Sequence, residues 1–210
     1  MKPIAAFDFD GTITYRDTLL GFLRELVGDG PLLAAALTDL PRMVLSATGK
    51  GDRDAAKARL FRKVLRGRDI NQVQQVAGAH ADRVLATELR PDVEKRIEWH
   101  RDLGHELVIV SASLDVYLDI IGPRLGFDSV ICTKLEISDG KLTGEVVGGN
   151  CRAAMKVARL RAAVPSFDER EVWAYGDSAG DNELLAAATH PHRVGGRTIL
   201  TTIPVGPDPN

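Results

Sequence analysis

Two carboxylates, Asp8 and Asp10, stand at the end of an apolar run with only Phe9 between them, and Gly11 and Thr12 follow. A second acidic pair, Asp177 and Asp181, comes after the apolar stretch Glu171–Tyr175, in VWAYGDSAGD. Between the two pairs, Ser111 and Ser113 follow the run ELVIV. If these runs are strands of one sheet, four carboxylates and two hydroxyls gather on one edge. Like charges in such proximity cannot all stay ionised cheaply, so either some are protonated or a cation is present. Hard oxygen ligands in small number suit Mg²⁺, which keeps several waters and is completed by a substrate phosphate.

The elements that must position these groups fall into three parts. Pro3–Phe7 reads as a buried strand. From Leu19 to about Leu89 no strand pattern occurs. Apolar residues there recur at helical spacing, as in Leu19, Phe22, Leu23 and Leu26, and again in Leu60, Phe61, Val64 and Leu65. Breaks at Gly28–Pro31, Gly49–Gly51 and Gly67–Asp69 divide this stretch into about four helices. From Pro91 onward the pattern alternates. Helices are expected at Asp92–Asp102, Asp115–Leu125, Arg152–Ala163 and Asn182–Ala188. Strands are expected at Glu106–Val110, Ser129–Cys132 and Glu171–Tyr175. LEISDGKLTGEV reads as a hairpin turning at Asp139-Gly140. Such alternation implies a parallel sheet with helices on both faces, and ligands then sit beyond the carboxyl ends of its strands.

Bulk properties narrow the function classes. With 210 residues, 44% hydrophobic and 27% charged, the chain has the composition of a soluble globular protein. A net charge of −2 gives no global pull toward nucleic acid or anionic lipid, and neither partner is expected. The apolar start is interrupted by Asp8 and is too short for a signal peptide. The stretch Pro31–Leu37 is too short to cross a bilayer. Cys132 and Cys151 are expected as reduced thiols in a cytoplasmic protein. Seven basic residues between Asp52 and Asp69 (Arg53, Lys57, Arg59, Arg62, Lys63, Arg66 and Arg68) read as a solvated helix face, with one or two turned toward an anionic substrate. His190–His192 reads as a surface loop, His100 and His105 as structural, and Trp99 and Trp173 as packing residues. The tail Pro204–Asn210 reads as a frayed terminus.

The ordered set DFDGT, VSAS, a lysine-bearing helix after GGNC, and GDSAGD resembles the haloacid dehalogenase-like phosphatase superfamily, in particular its phosphoserine-phosphatase-like branch, subfamily IB. HRDLGHELVIVSAS, TKLEISDGKLTGEVVGGNC and the helical stretch directly after the first motif add to the likeness. After the last motif HRVGGRT stands where the branch has Asn-Pro-Asp. The resemblance implies an α/β fold: a Rossmann-like parallel sheet core, residues 1–14 and 89–210, with an inserted helical cap of the C1 type, residues 15–88.

It also implies roles. Asp8 would be the nucleophile that forms an aspartyl-phosphate, and Asp10 the acid and base that serves the leaving group and then the water. Mg²⁺ would be held by Asp8, the backbone carbonyl of Asp10 and Asp177, with Asp181 holding a water of that ion. Gly11 and Thr12 would let backbone amides approach the phosphate, and Ser111 and the amide of Ala112 would bind its oxygens. Lys156 would neutralise the charge, with Arg152 as its rival. Asp17 would either face a substrate amine or cap the helix that starts near Thr18. The activity implied is hydrolysis of a small phosphorylated metabolite, such as the amino-alcohol phosphate phosphoserine. A phosphotransferase or mutase using the same intermediate, or an idle phosphate-binding module, are the alternatives. Nothing in the sequence reports the oligomeric state.

Overall fold

Six strands form one sheet in the order β4-β3-β2-β1-β5-β6: β1 (Ile4–Phe7), β2 (Glu106–Leu114), β3 (Ser129–Ser138), β4 (Lys141–Val147), β5 (Val172–Gly176) and β6 (His190–Arg193). All neighbours pair in parallel except β3 and β4, the antiparallel hairpin. The computed structural model describes residues 1–35 and 53–195. Within them lie helices α1 (Leu19–Val27), α2 (29–35), α3 (Arg53–Val64), α4 (Ile70–Thr87), α5 (Pro91–Asp102), α6 (Asp115–Arg124), α7 (Ala154–Ala163) and α8 (Asn182–Ala186). The expected break at Gly49–Gly51 and the tail Pro204–Asn210 lie outside the described residues.

Local chemistry explains the punctuation. Asp69 caps α4 by accepting from the amides of Asn71 (2.9 Å) and Gln72. Pro91 opens α5, where its missing N–H costs nothing, and Asp92 and Glu94 complement the helix dipole. Asp139 and Gly140 both have positive φ, the conformation that a two-residue hairpin turn demands.

Strand alternation sorts the core onto the two faces of the sheet. Ile4, Ala6, Val108, Val110, Val172 and Ala174 point to the α7–α8 side and pack against Val157, Leu160 and Leu184. Ala5, Phe7, Leu107, Ile109 and Tyr175 point the other way, where one continuous cluster joins α5 and α6 to α1, α3 and α4. The helical insert thus shares a core with that face. Its two ends meet: Thr14 and Leu89 form an antiparallel bridge, with the Tyr15 amide bonded to the Glu88 carbonyl and the Arg90 amide to the Ile13 carbonyl.

Several expected boundaries move. β2 runs on through Ser111–Ser113 to Leu114, with a register shift against β3 after Val110, so the two serines belong to the irregular end of the strand. α7 starts at Ala154, which leaves Arg152 in the preceding turn. His190–His192 is an edge strand paired to β5 rather than a surface loop, and Pro191 is tolerated there as Pro is at sheet edges.

Candidate active site

The sheet order changes direction at β1: the chain passes from β1 to β2 on one side and reaches β5 on the other. The crevice beyond the carboxyl ends of these three strands is where such sheets bind ligands. A cavity of about 350 Å³ lies there. It is lined from β1 by Asp8, Asp10 and Gly11, from β2 by Ser111, Ala112 and Ser113, and from beyond β5 by Asp177 and Asp181. Lys156 and Arg152 close one side, and Tyr15, Asp17 and Lys57 of the insert close the other.

Lys156 is the hub of the core side. It is 2% exposed, and its ammonium donates to Asp8 Oδ1 and to Asp181 Oδ1, each at 2.5 Å. Burial pulls its pKa down, but the two carboxylates outweigh this and hold it above the usual lysine range. Burial pushes Asp8 up to about 7, against the attraction of Lys156. Asp181 is fixed twice over, since its Oδ2 accepts from the amide and the hydroxyl of Ser178. Arg152 lines the cavity but makes no ion pair among the described residues.

Asp8, Asp177 and Asp181 each bring one carboxylate oxygen to within 4.8 Å of the others. An all-oxygen, anionic set of this size fits a hard divalent cation. Asp177 is half-buried, and burial followed by the charge of Asp181 raises its pKa. Gly11, at φ +77°, allows this approach, because a Cβ there would overlap the Asp177 carboxylate.

Asp10 is held differently. Oδ1 accepts from the amide (2.7 Å) and hydroxyl (2.6 Å) of Thr18, and Oδ2 accepts from the Ser113 hydroxyl. Burial, then the charge of Asp17, raises its pKa, and these hydrogen bonds oppose the rise. Ser111 is buried at the cavity wall, and its Oγ accepts from the Ser113 amide at 3.1 Å, which leaves its hydroxyl proton to give. Ala112 lines the cavity. Thr12 does not; its side chain is fully buried, with no hydrogen-bond partner among the described residues. Asp17 is exposed at the rim of the cavity, and its Oδ1 accepts from the Leu20 amide at 3.2 Å.

A profile described as haloacid dehalogenase-like hydrolase matches residues 5–186. The chain belongs to that family. Protein CicA of Caulobacter vibrioides is 37% identical over 186 residues, covering 88% of this chain and 82% of that protein. The phosphoserine phosphatase of Methanocaldococcus jannaschii is 24% identical over 190 residues, covering 89% and 82%. A solved structure of a Bordetella pertussis Tohama I protein of unknown function matches with a TM-score of 0.77 at 21% identity, over 90% of this chain and 88% of that one, a likeness of fold alone. The family match makes this chain a haloacid dehalogenase-like hydrolase, similar along most of its length to a protein named phosphoserine phosphatase.

Three residues at this site escape a reading by motif. Thr18 and Ser113 grip Asp10 from opposite sides, although nothing in their spacing marks that role. Lys57 reaches from α3 to donate to the Ala112 carbonyl (2.6 Å) and to Asn150 Oδ1 (3.2 Å). The basic run containing it signals only that some member faces an anion. Two other members of the run behave otherwise: Arg62 pairs with Glu145, and Arg68 donates to the Val64 carbonyl.

Proposed function

We propose that the protein hydrolyses a small phosphomonoester in two steps through an aspartyl-phosphate on Asp8. The observation that carries this reading is the buried Lys156 bridging Asp8 and Asp181 at the head of the cavity. Lys156 occupies Oδ1 of Asp8, so Oδ2 is the oxygen left to attack phosphorus. The Asp8–phosphorus bond forms as the phosphorus–alkoxide bond breaks. The leaving oxygen takes its proton from Asp10, whose raised pKa suits an acid. Water then gives a proton back to Asp10 and attacks phosphorus, which frees Asp8 and inorganic phosphate. The hydroxyls of Thr18 and Ser113 can turn to accept as well as donate, so Asp10 keeps its orientation in both protonation states.

Asp8, Asp177 and Asp181 would hold Mg²⁺, which would offset the repulsion between a carboxylate and an anionic phosphate. Lys156 adds charge of the same sign beside Asp8. Ser111 and the amides around Gly11 and Ala112 would take phosphate oxygens. The insert, residues 15–88, would act as a cap that selects the rest of the substrate. Asp17 at its root supplies a carboxylate for an amine, in keeping with a relative named phosphoserine phosphatase.

The test is Asp8→Asn. Hydrolysis of p-nitrophenyl phosphate should fall by at least about a thousandfold, with an unchanged or higher Tm, since one buried charge is removed. In the wild type, EDTA should abolish turnover and Mg²⁺ restore it. Substantial turnover by Asp8→Asn, or by fully chelated enzyme, refutes the mechanism.

A further inference from the structure

Beside the cavity of about 350 Å³ lies a second, of about 220 Å³, between α3 and the end of the β3–β4 hairpin. Lys57 lines both. The polar side chains around the second cavity are turned on one another. Asn150 Nδ2 donates to Asp54 at 2.7 Å, and Thr133 Oγ1 donates to the Ala112 carbonyl (2.8 Å) and contacts Asn150 Oδ1 (2.9 Å). The same Thr133 oxygen accepts from the Cys151 amide at 3.0 Å. With these groups engaged, the surface left to a ligand among the described residues is Ala58, the ring of Phe61, Val146 and the backbone of Gly149.

Cavities that take a whole small molecule begin at roughly 300 Å³. This one is smaller and adjoins the reactive carboxylates across Lys57. It therefore suits one arm of a molecule whose other end lies on Asp8. The geometry points to a subsite for an uncharged apolar arm, alkyl or aryl, of the phosphomonoester, with the Lys57 stem as the sill between the two cavities. This rests on the phosphatase reading above. A substrate as small and polar as phosphoserine would leave the subsite unfilled.

Straight-chain alkylphosphonates, methyl to octyl, test this by calorimetric titration of the wild-type protein in Mg²⁺. They are not hydrolysed, so the result does not depend on turnover. Affinity should rise about three- to fourfold per methylene until the arm fills the cavity, then level off. Ala58→Phe on one wall and Val146→Phe on the other should each bring the hexyl-to-methyl affinity ratio close to one, with Tm reporting that the variants are folded. A flat series in the wild type overturns the subsite, as does a gradient that survives undiminished in both variants. A flat series alongside normal p-nitrophenyl phosphate hydrolysis removes the subsite and leaves the phosphatase reading standing. Failure of every phosphonate to bind, together with no hydrolysis of p-nitrophenyl phosphate, overturns both.

Discussion

The two walls of the cavity are satisfied in opposite ways. On the sheet side, Asp8, Asp181 and Lys156 are buried and bonded to one another, and Asp10 receives three hydrogen bonds. On the insert side, Tyr15 is 56% exposed, and Asp17 makes one long contact to a backbone amide of its own helix. Lys57 and Thr18 are exceptions: Lys57 bonds Ala112 and Asn150, and Thr18 bonds Asp10, all on the sheet side. In the proposed mechanism the groups that would meet a reacting phosphorus are the ones locked by mutual satisfaction, where misplacement by a fraction of an ångström costs rate. Groups that meet the variable part of a substrate are held loosely and can adapt.

The harshest way to break that contrast is Lys156→Met. Two buried carboxylates would face each other without their cation, and hydrolysis of every substrate should fall by on the order of 10²–10³. The stability loss has a sign. Without the lysine the pKa of Asp8 rises further above about 7, so stability is kept at low pH and lost as pH rises through that value. Melting curves at pH 5 and pH 8 should show the larger drop at pH 8. If Arg152→Met proves the more damaging of the two changes, the cation has been misassigned.

Asp17→Asn should act on one class of substrate only. Its kcat/KM for cationic phosphomonoesters should fall by about 2 kcal/mol, roughly 30-fold, while p-nitrophenyl phosphate is hydrolysed as before. Equal losses on both would put Asp17 with the locked wall. Wild-type behaviour on both would leave it as a helix cap.

Ser113→Ala should cost about fivefold in kcat on all substrates alike, the scale of one hydrogen bond. It removes a donor that favours the ionised Asp10, so the pKa of Asp10 should rise and the alkaline limb of the kcat–pH profile should move up. A loss confined to KM would contradict its role in orienting Asp10.

The smallest effect on turnover is expected behind the sheet wall, at His100. Its Nε2 meets the Tyr175 hydroxyl at 2.8 Å, and burial, with help from His105, Arg96 and His192, lowers its pKa to about 3. The unfolded chain takes that proton near pH 6.5, so stability is full above about 6.5 and drains as pH falls toward 3. His100→Phe should leave activity at pH 7.5 within about twofold and flatten the acid side of a urea-unfolding profile. An equally steep acid side would assign the lability to other groups.

Much of this was legible because it is local. Apolar runs ending in Asp8-Phe9-Asp10 and in Gly176-Asp177 announce strand tips, and Asp139-Gly140 announces its own turn. What escaped depends on distance along the chain. Lys57 finds Ala112 across 55 residues, and Ser113 finds Asp10 across 103. β6 was unreadable because HPHR carries no apolar alternation; Trp173 and Tyr175 stack on its two histidines and supply the burial its own sequence lacks. The end of β2 was cut short for a related reason. Ser111-Ala112-Ser113 resembles a loop, and its extended course rests on distant partners: Leu114 pairs with Thr133, and Thr133 and Lys57 both bond the Ala112 carbonyl.

The bridge between Thr14 and Leu89 has a consequence over generations. The chain leaves the sheet layer and returns to it at adjacent residues, so the layer sees a junction hardly wider than a tight turn. Doubling the length of chain strung between two such points costs only about 0.6 kcal/mol of closure entropy. A lineage can therefore lengthen, shorten or exchange that segment, re-matching its contacts with α6 and β4 and the bonds of Thr18 to Asp10 and of Lys57 to Ala112, while the carboxylates at the strand tips are inherited untouched.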